Sequence, residues 1–212
     1  MNSDTVIVRY LDRQDYQTCW QAMQQFTQHR DESTLDEIWV LEHSPVFTQG
    51  QNGKPEHLLC PGDIPIVKVD RGGQVTYHGP GQLVAYTLID IKRKKLSIRA
   101  LVTFLEKSII ELLTELGISA FAKPDAPGVY IDQSKICSVG LRIRRGCSYH
   151  GLAFNVAMDL EPFSRINPCG FSQLQMTQLS AFHAIDDLAN IKIKLIKYLI
   201  NNLGYTHALE KA

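Results

Sequence analysis

The feature that most constrains the fold is a run of three strand-like segments separated by very short connections. The segments are "GVYID", "KICSVGLRI" and "SYHGLAFNVAM", and the connections are "QS" and "RRGC". Connections this short join antiparallel strands, whereas a parallel pair needs a crossover of roughly a dozen residues or more. The pattern therefore predicts an antiparallel meander and argues against a Rossmann sheet, which needs strict βαβ repetition.

Other periodic segments predict helices and further strands around this meander. Apolar residues at helical spacing predict three helices, over residues 12–30, 97–116 and 184–203. Apolar and β-branched runs predict three more strands, over residues 37–43, 64–69 and 81–91. The stretch "SPVFTQGQNGKP" is interpreted as a long functional loop. We expect an α+β (mixed α/β) fold, a single domain over residues 1–212 whose mixed, largely antiparallel sheet is packed by helices.

The charge balance and the start of the chain limit the expected location and partners. Lysine plus arginine and aspartate plus glutamate both number 22, so the net charge is zero and gives no argument for nucleic acid or an anionic membrane. The opening "MNSDTVIVRYLDRQDY" lacks a signal-peptide pattern, and no apolar run approaches roughly 20 residues. We expect a cytoplasmic protein with no membrane partner.

Five cysteines raise the question of which thiol has a chemical role: Cys19, Cys60, Cys137, Cys147 and Cys169. An odd number without a CxxC pair does not predict a disulfide framework. In "SRINPCGF", Pro168 fixes one backbone dihedral and Gly170 permits angles that a side chain forbids, so the thiol of Cys169 can be presented at a bend. Cys137 is a rival in an apolar strand. Cys19 is expected in the core, and Cys147 is expected to be exposed at a hairpin turn.

Lys135 begins the strand "KICSVGL" and shares a face with Cys137 and Val139, because side chains alternate along a strand. A lysine at such a position usually lies at the surface. If it points into a site instead, its ammonium group would stabilise a thiolate. Burial would also lower the pKa of Lys135, so that its amine could accept a proton.

Two histidines, His78 and His150, compete for the role of base. Pairing with histidine is the commonest way to activate a thiol, although His150 is equally compatible with a structural role. His150 and Cys147 together supply only half of a zinc site, so no metal is expected.

The stretch "DRGGQVTYHGPGQ" has the densest glycine signal in the chain. It lacks the Gly-Lys-Ser/Thr ending of a phosphate loop and leads into a strand rather than a helix, so it is not a dinucleotide fingerprint. Because Arg71, Tyr77 and His78 lie among the glycines, a binding loop is favoured over a plain turn. Two basic clusters, "IKRKKLSIR" and "RIRR", are either solvated surface or docking sites for an acidic protein.

Taken together, "RGGQVTYHGPGQLVAY", "KICSVGLRIRRGCSYHGLAFNV" and "RINPCG" resemble the octanoyl-[acyl-carrier-protein]–protein octanoyltransferase family of lipoate biosynthesis. The resemblance covers nearly the whole chain and includes "LEHSPVFTQG" upstream. It implies a fold similar to the catalytic domains of lipoate and biotin protein ligases. It also implies a Cys/Lys dyad, which falls on Cys169 and Lys135 and excludes Cys137 and a histidine base.

The resemblance further implies a substrate pocket built from three segments. Its residues are Arg71, Gly72, Gly73, Gln74, Val75, Thr76, Tyr77 and His78, then Ser138, Val139 and Gly140, then Gly151, Leu152 and Ala153. The side chains of Val139, Leu152 and Ala153 are candidate walls of an apolar tunnel for the eight-carbon chain, where each buried methylene contributes about 0.8 kcal/mol.

The implied reaction moves an octanoyl group from octanoyl-acyl carrier protein to a lysine of a lipoyl domain, through a thioester on the enzyme. No cofactor is implied, since the acyl group arrives on the phosphopantetheine of the carrier. The implied acceptors are the lipoyl domains of 2-oxoacid dehydrogenases and the glycine-cleavage H protein, and a monomer is expected. The alternatives are an ATP-dependent lipoate or octanoate ligase of the same fold, a cysteine hydrolase, and a non-catalytic domain that only binds carrier proteins.

Overall fold

The computed structural model describes residues 4–211. The helices are α1 (Tyr16–His29), α2 (Ile98–Glu115) and α3 (Leu188–Asn202). The strands are β1 (Thr5–Gln14), β2 (Asp36–His43), β3 (Val46–Gln49), β4 (Ile66–Lys68), β5 (Val75–His78), β6 (Gln82–Leu88), β7 (Phe121–Ala122), β8 (Gly128–Ile131), β9 (Ser134–Arg144), β10 (Cys147–Asn155) and β11 (His207–Lys211). Short 3₁₀ turns connect several of these elements.

Eight strands form the main sheet, in the order β11-β1-β2-β6-β10-β9-β8-β7. Strands β11, β1 and β2 pair in parallel, whereas β2–β6, β6–β10 and all pairs beyond β10 are antiparallel. The meander predicted from the short connections is β8–β9–β10, and it is confirmed. The mixed, largely antiparallel sheet packed by helices is confirmed with it.

A second sheet has the order β4-β3-β5. Its central strand, Val46–Gln49, lies inside the stretch interpreted as a loop, so that interpretation is wrong for these four residues. All four side chains are buried. The apolar run "VF" was too short to predict a strand by itself, and pairing with β4 and β5 stabilises it.

Helices cover both faces of the main sheet. On one face α2 and α3 pack together, and α2 buries the apolar stripe Leu101, Leu105, Ile109, Leu112 and Leu113. The Ser97 side chain caps α2 by accepting from the N–H of Ala100. On the other face α1 buries Cys19 and Met23 against Trp39 and Leu41.

Several boundaries differ from the sequence-based expectation. Helix α3 begins at Leu188 rather than near residue 184, because the Asp187 side chain accepts from the N–H of Ala189 and sets the start. Strand β1 runs to Gln14, where a helix was expected from residue 12, and Asp15 then caps α1. Strand β11 has five exposed residues and no apolar alternation that would have revealed it. No helix within residues 4–211 is long and apolar enough to cross a membrane.

Candidate active site

Cys169 lies in a tight 3₁₀ turn over Pro168–Gly170. Its backbone φ is +56°, in the left-handed region that costs a non-glycine residue about 1–2 kcal/mol. Gly170 follows with φ of +82°, so the glycine supplies the conformation that a side chain would resist. Its N–H donates to the carbonyl of Asn167 at 2.9 Å, which removes it as a donor for substrate in this turn. The bend predicted from the proline and glycine neighbours is present.

Lys135 is buried, with 1% of the residue's surface exposed. Its Nζ atom donates to the Sγ atom of Cys169 at 3.2 Å and to the carbonyl of Pro127 at 3.0 Å. The ring of Tyr130 lies beneath the ammonium group, with 5.2 Å between Nζ and the ring centroid. The usual expectation of a surface lysine at the start of a strand is therefore wrong here.

The chain beyond Cys169 runs alongside the start of β9 and brings the thiol to Lys135. The N–H of Lys135 donates to the carbonyl of Gln175, and its carbonyl accepts from the N–H of Thr177, both at 2.9 Å. Met176 pairs with Lys135 in a parallel bridge between these two bonds. A short piece of strand pairing thus fixes the thiol-bearing turn against the lysine.

The surroundings of Lys135 favour its positively charged form. Burial alone would lower the pKa of Lys135, but the charges of Cys169 and Tyr130 outweigh burial and raise this pKa above its ordinary value. The net pKa of Lys135 is therefore raised, whereas the sequence-based expectation was a lowered one. The lysine is well suited to stabilising a thiolate and to donating a proton from its ammonium form.

A cavity of about 480 Å³ opens beside the thiol, within the roughly 300–1,000 Å³ range typical of ligand pockets. Every residue predicted for the site lines this cavity except Tyr77. The lining includes Arg71, Gly72, Gly73, Gln74, Val75, Thr76, His78, Lys135, Ser138, Val139, Gly140, Gly151, Leu152, Ala153 and Cys169. Tyr77 faces the opposite side of β5 and packs against Phe47 and Phe163, because side chains alternate along the strand.

Arg71 supplies a buried cation to the cavity wall. Its guanidinium donates to the carbonyl and the hydroxyl of Thr48 and to the carbonyl of Gly72, at 2.7–3.3 Å. No carboxylate within residues 4–211 forms an ion pair with it. Burial lowers the pKa of Arg71, and the charges of Tyr16 and Cys169 oppose that shift. The guanidinium therefore favours negative charge at the thiol.

His78 has a structural place beside Arg71. Its Nδ1 lies 2.7 Å from the amide oxygen of Gln82, and its Nε2 lies 3.3 Å from the hydroxyl of Thr48. Burial and the neighbouring charges of His43 and Arg71 lower its pKa well below the ordinary value. The neutral imidazole is hydrogen-bonded at both ring nitrogens and supports Arg71 through Thr48, so neither nitrogen is free to activate Cys169.

His150 lines the cavity and is held from behind by Asp70. Asp70 accepts from Trp20 at 2.9 Å and from Tyr149, and it lies 3.0 Å from Nε2 of His150. Nδ1 of His150 has no hydrogen-bond partner within residues 4–211. Burial lowers the pKa of His150 despite the bond to Asp70, so the ring is neutral near pH 7. Asp70 is the first residue of the glycine-rich stretch, but nothing in the sequence distinguished it from a turn residue.

The other cysteines are less suited to nucleophilic chemistry. Cys137 is fully buried in β9, and burial strongly raises its pKa. Cys19 lies in the core, as expected, and burial raises its pKa to about 12. Cys147 is buried, contrary to expectation, because β10 begins at this residue and pairs with β9. No cluster of three or more metal-ligating side chains occurs within residues 4–211.

The two basic clusters meet at one corner of the molecule, where the N–H of Ile91 donates to the carbonyl of Gly146 at 3.1 Å. Some of their cations stabilise the fold. Arg93 binds Asp36 at 2.7 Å, and Arg145 donates to the carbonyl of Gln28 at 3.0 Å. Others, including Arg144, remain exposed at this corner.

Comparison with known proteins identifies the family. Residues 15–199 match the lipoyl protein ligase A/B catalytic domain. An octanoyltransferase of Shewanella amazonensis is 57% identical over 207 residues, covering 98% of this chain and 96% of the relative. One of Vibrio vulnificus is 58% identical over 200 residues, covering 94% and 92%. The chain belongs to the octanoyltransferase family. The predicted family is thereby confirmed.

Solved structures of low sequence identity share the fold of this octanoyltransferase family member. A lipoate-protein ligase A bound with ATP has a TM-score of 0.80 at 13% identity, covering 97% of this chain and 88% of the ligase. The biotin protein ligase of Aquifex aeolicus has a TM-score of 0.55 at 15% identity, covering 93% and 68%. The expected similarity to the catalytic domains of both ligase classes is confirmed.

Several residues around the dyad were not predicted. Tyr16 and Tyr86 line the cavity from α1 and β6, and Ile98 and Val102 line it from α2. Periodicity assigns these side chains to buried faces and cannot distinguish a cavity wall from the core. Glu106 is a buried carboxylate on the apolar face of α2, and that break in the stripe was the one sequence signal available.

Proposed function

We propose that this protein transfers an octanoyl group from octanoyl-acyl carrier protein to the acceptor lysine of a lipoyl domain, through a thioester on Cys169. The observation that carries the proposal is the 3.2 Å contact between Lys135 Nζ and Cys169 Sγ at the wall of a cavity lined by apolar side chains. Family membership identifies the acyl group, and this pair provides the chemistry for moving it.

In the first half-reaction the Cys169 thiolate attacks the carbonyl carbon of the octanoyl thioester. A new bond forms between carbon and Sγ, and the bond to the phosphopantetheine sulfur breaks. The Lys135 ammonium first stabilises the thiolate and then donates a proton to the departing sulfur. Because one thioester replaces another, the free-energy change of the exchange is close to zero. Departure of the carrier protein can therefore drive it forward. No cofactor takes part in this scheme.

In the second half-reaction the acceptor amine attacks the acyl carbon on Cys169. The carbon–nitrogen bond forms, the bond to Sγ breaks, and the amine loses a proton, which Lys135 can take in its neutral form. An amide replaces a thioester, so this step runs downhill. The buried cation of Arg71 favours the negative charge that develops near the thiol in both halves.

The cavity has two tasks in this scheme. Val139, Leu152 and Ala153 line it and offer apolar contact to the alkyl chain. At about 0.8 kcal/mol per buried methylene, such contacts discriminate several-fold between neighbouring chain lengths. Enclosing the thioester also keeps out water, which would otherwise release free octanoate.

The domain assignment and the partners belong to the same proposal. Strand β11 pairs with β1 at one edge of the main sheet, so the first and last strands of the described chain belong to the same sheet, which supports a single catalytic domain over residues 1–212. A protein of the same fold with a solved structure is the bi-partite lipoate protein ligase of Thermoplasma acidophilum, which was studied together with its E2 lipoyl domain. This similarity supports a lipoyl domain as the acceptor. The exposed cations at the corner formed by the two basic clusters suit an acidic carrier protein.

Intact-mass measurement after brief incubation with octanoyl-acyl carrier protein tests the proposal. We expect one added octanoyl group in the wild type and in Cys137→Ala, none in Cys169→Ala, and discharge on adding a lipoyl domain. Acylation that persists in Cys169→Ala would refute the assigned nucleophile. Modification of the lipoyl domain only with ATP and free octanoate would establish the ligase alternative, and release of octanoate without an acceptor would establish a hydrolase.

A further inference from the structure

We infer that Glu106 is a positioning residue for the Lys135–Cys169 pair and acts through the peptide bond between Pro127 and Gly128. The inference rests on the proposed function, because it takes Cys169 as the nucleophile and Lys135 as its partner. Glu106 makes no direct contact with the thiol and belongs to α2, outside every motif of the resemblance.

A single peptide unit separates the Glu106 carboxylate from the Lys135 ammonium. Its N–H, on Gly128, donates to Oε1 of Glu106 at 2.8 Å. Its carbonyl, on Pro127, accepts from Nζ of Lys135 at 3.0 Å. The two groups of a trans peptide point in opposite directions, so the carboxylate and the ammonium lie at opposite ends of one rigid plane. Lys135 then reaches the thiol, which gives a chain of carboxylate, peptide, ammonium and sulfur.

The burial of this chain gives its charges a strong influence on one another. Glu106 is 8% exposed and Lys135 is 1% exposed. Burial raises the pKa of Glu106, while the Gly128 N–H and the cations Arg99 and Lys135 act in the opposite direction. A carboxylate at the N–H end polarises the peptide and makes its carbonyl a stronger acceptor. The ammonium of Lys135 is thereby held at the carbonyl, within reach of the thiol.

The backbone at Gly128 is shaped for this contact. Its φ is +137°, a conformation that favours glycine. A Cβ at this position would lie 2.4 Å from the Cys137 carbonyl oxygen and 3.0 Å from Cε of Lys135. The lysine side chain therefore packs directly over a residue without a side chain. Glu106 holds that residue from the other side, so the peptide has little freedom to turn away from Lys135.

Two variants separate charge from geometry. Glu106→Gln keeps an oxygen that can accept from Gly128 but removes the charge, whereas Glu106→Ala removes both. Glu111→Ala is the matched control, because Glu111 lies on the same helix and binds Asn202 at 2.6 Å, on the side facing α3. For each protein we would measure the rate of octanoylation, the melting temperature, and the pH dependence of Cys169 alkylation by iodoacetamide, followed on the Cys169 peptide.

We expect Glu106→Ala to slow octanoylation by about 10²-fold, the effect of misplacing a catalytic group by roughly 1 Å. We expect the pH of half-maximal Cys169 alkylation to rise by about one unit in this variant. A shift of this size corresponds to the loss of one charged hydrogen bond. Glu106→Gln should show a smaller change in the same direction, and Glu111→Ala should match the wild type. The near-isosteric glutamine variant decides the question if the alanine variant does not fold.

An unchanged alkylation profile in the folded Glu106 variants would overturn the inference, even with a lowered melting temperature, because a purely structural role predicts that result. The alkylation assay needs no acyl donor. If Cys169→Ala still accepts octanoate, the proposed function fails, whereas a shift in the alkylation profile still supports the coupling of Glu106 to Cys169.

Discussion

Nζ of Lys135 lies 3.2 Å from Sγ of Cys169, although the two residues are 34 positions apart in the chain. The contact depends on backbone pairing of Lys135 with Gln175 and Thr177, which folds the thiol-bearing turn back onto β9. The dyad therefore combines a rigid strand residue with a residue on a strained turn.

Replacing Lys135 by methionine should remove the charge while retaining much of the side-chain volume. We expect formation of the octanoyl-enzyme to slow by roughly 10²–10⁴-fold, the usual contribution of a positioned proton donor or acceptor. Quenched-flow mass spectrometry measures this rate. Lys197→Met, at an exposed position of α3, is the control. Rapid acylation of Lys135→Met would contradict the assigned role of the lysine.

Gly128→Ala should disturb the dyad more than an ordinary glycine substitution. Gly117 provides the comparison, since it also has a positive φ but nothing lies within 4 Å of the Cβ that alanine would add. We expect Gly117→Ala to cost about 1–2 kcal/mol of unfolding free energy and to leave the rate of octanoylation unchanged. Gly128→Ala should cost more and slow octanoylation as well. Equal effects of both variants in urea unfolding and in the acylation assay would refute this prediction.

Val139→Phe should shorten the acyl chain that the cavity accepts, because Val139 lines it. Each methylene of the acyl chain that is no longer buried loses about 0.8 kcal/mol of binding free energy, which corresponds to roughly a fourfold change in kcat/KM. We expect the ratio of kcat/KM for octanoyl to hexanoyl carrier protein to fall several-fold. Ile193→Phe, at an exposed position on α3, should leave the ratio unchanged. An unaltered ratio in Val139→Phe would place the alkyl chain elsewhere.

The protein should lose stability as the pH falls below about 6.5, because His43, His78 and His150 are buried. Burial lowers the pKa of His43 to about 4 and lowers those of the other two. Below pH 6.5 the unfolded chain binds protons that the folded protein does not, so acid favours unfolding. Each histidine should remove about 1.4 kcal/mol per pH unit until its folded pKa is reached.

Urea unfolding at pH 7.5, 6 and 5 measures this dependence. His43→Gln should reduce the slope by removing one of the three titrating groups. A free energy of unfolding that stays constant between pH 7.5 and 5 would contradict this prediction, because it would show that these histidines bind protons equally in the folded and unfolded protein.

Arg144→Glu should weaken the encounter with an acidic carrier protein, because Arg144 is exposed at the corner where the two basic clusters meet. We expect KM for octanoyl-acyl carrier protein to rise at low salt, with little change in kcat. The difference should vanish near 1 M salt, where screening acts over about 3 Å. Lys197→Glu introduces the same charge change on α3. An equal rise in KM in both variants would count against docking at this corner.

Much of the fold was evident in local sequence patterns. The short connections around residues 133 and 145 predicted β8–β9–β10, and the stripe from Leu101 to Leu113 predicted α2. Such features depend on periodicity and turn chemistry over a few residues, so a short segment of sequence is enough to reveal them. Strands β1, β3, β5, β7 and β11 were not predicted. Strands β3 and β11 have no pattern of their own, and each is stabilised by a distant partner.

The site divides in the same way. The sequence by itself indicated the family and the bend at "NPCG", because motif and backbone restriction are local properties. Its resemblance to that family implied Cys169 and Lys135 as the reactive pair. Only the tertiary structure decided that Lys135 is buried against Cys169, that Tyr77 faces away from the cavity, and that Cys147 is covered. Burial and the distance between charges depend on which strands pair. The electrostatic environment of Lys135 and Cys169, including the contribution of Glu106, therefore follows from the tertiary structure. No single stretch of sequence specifies it.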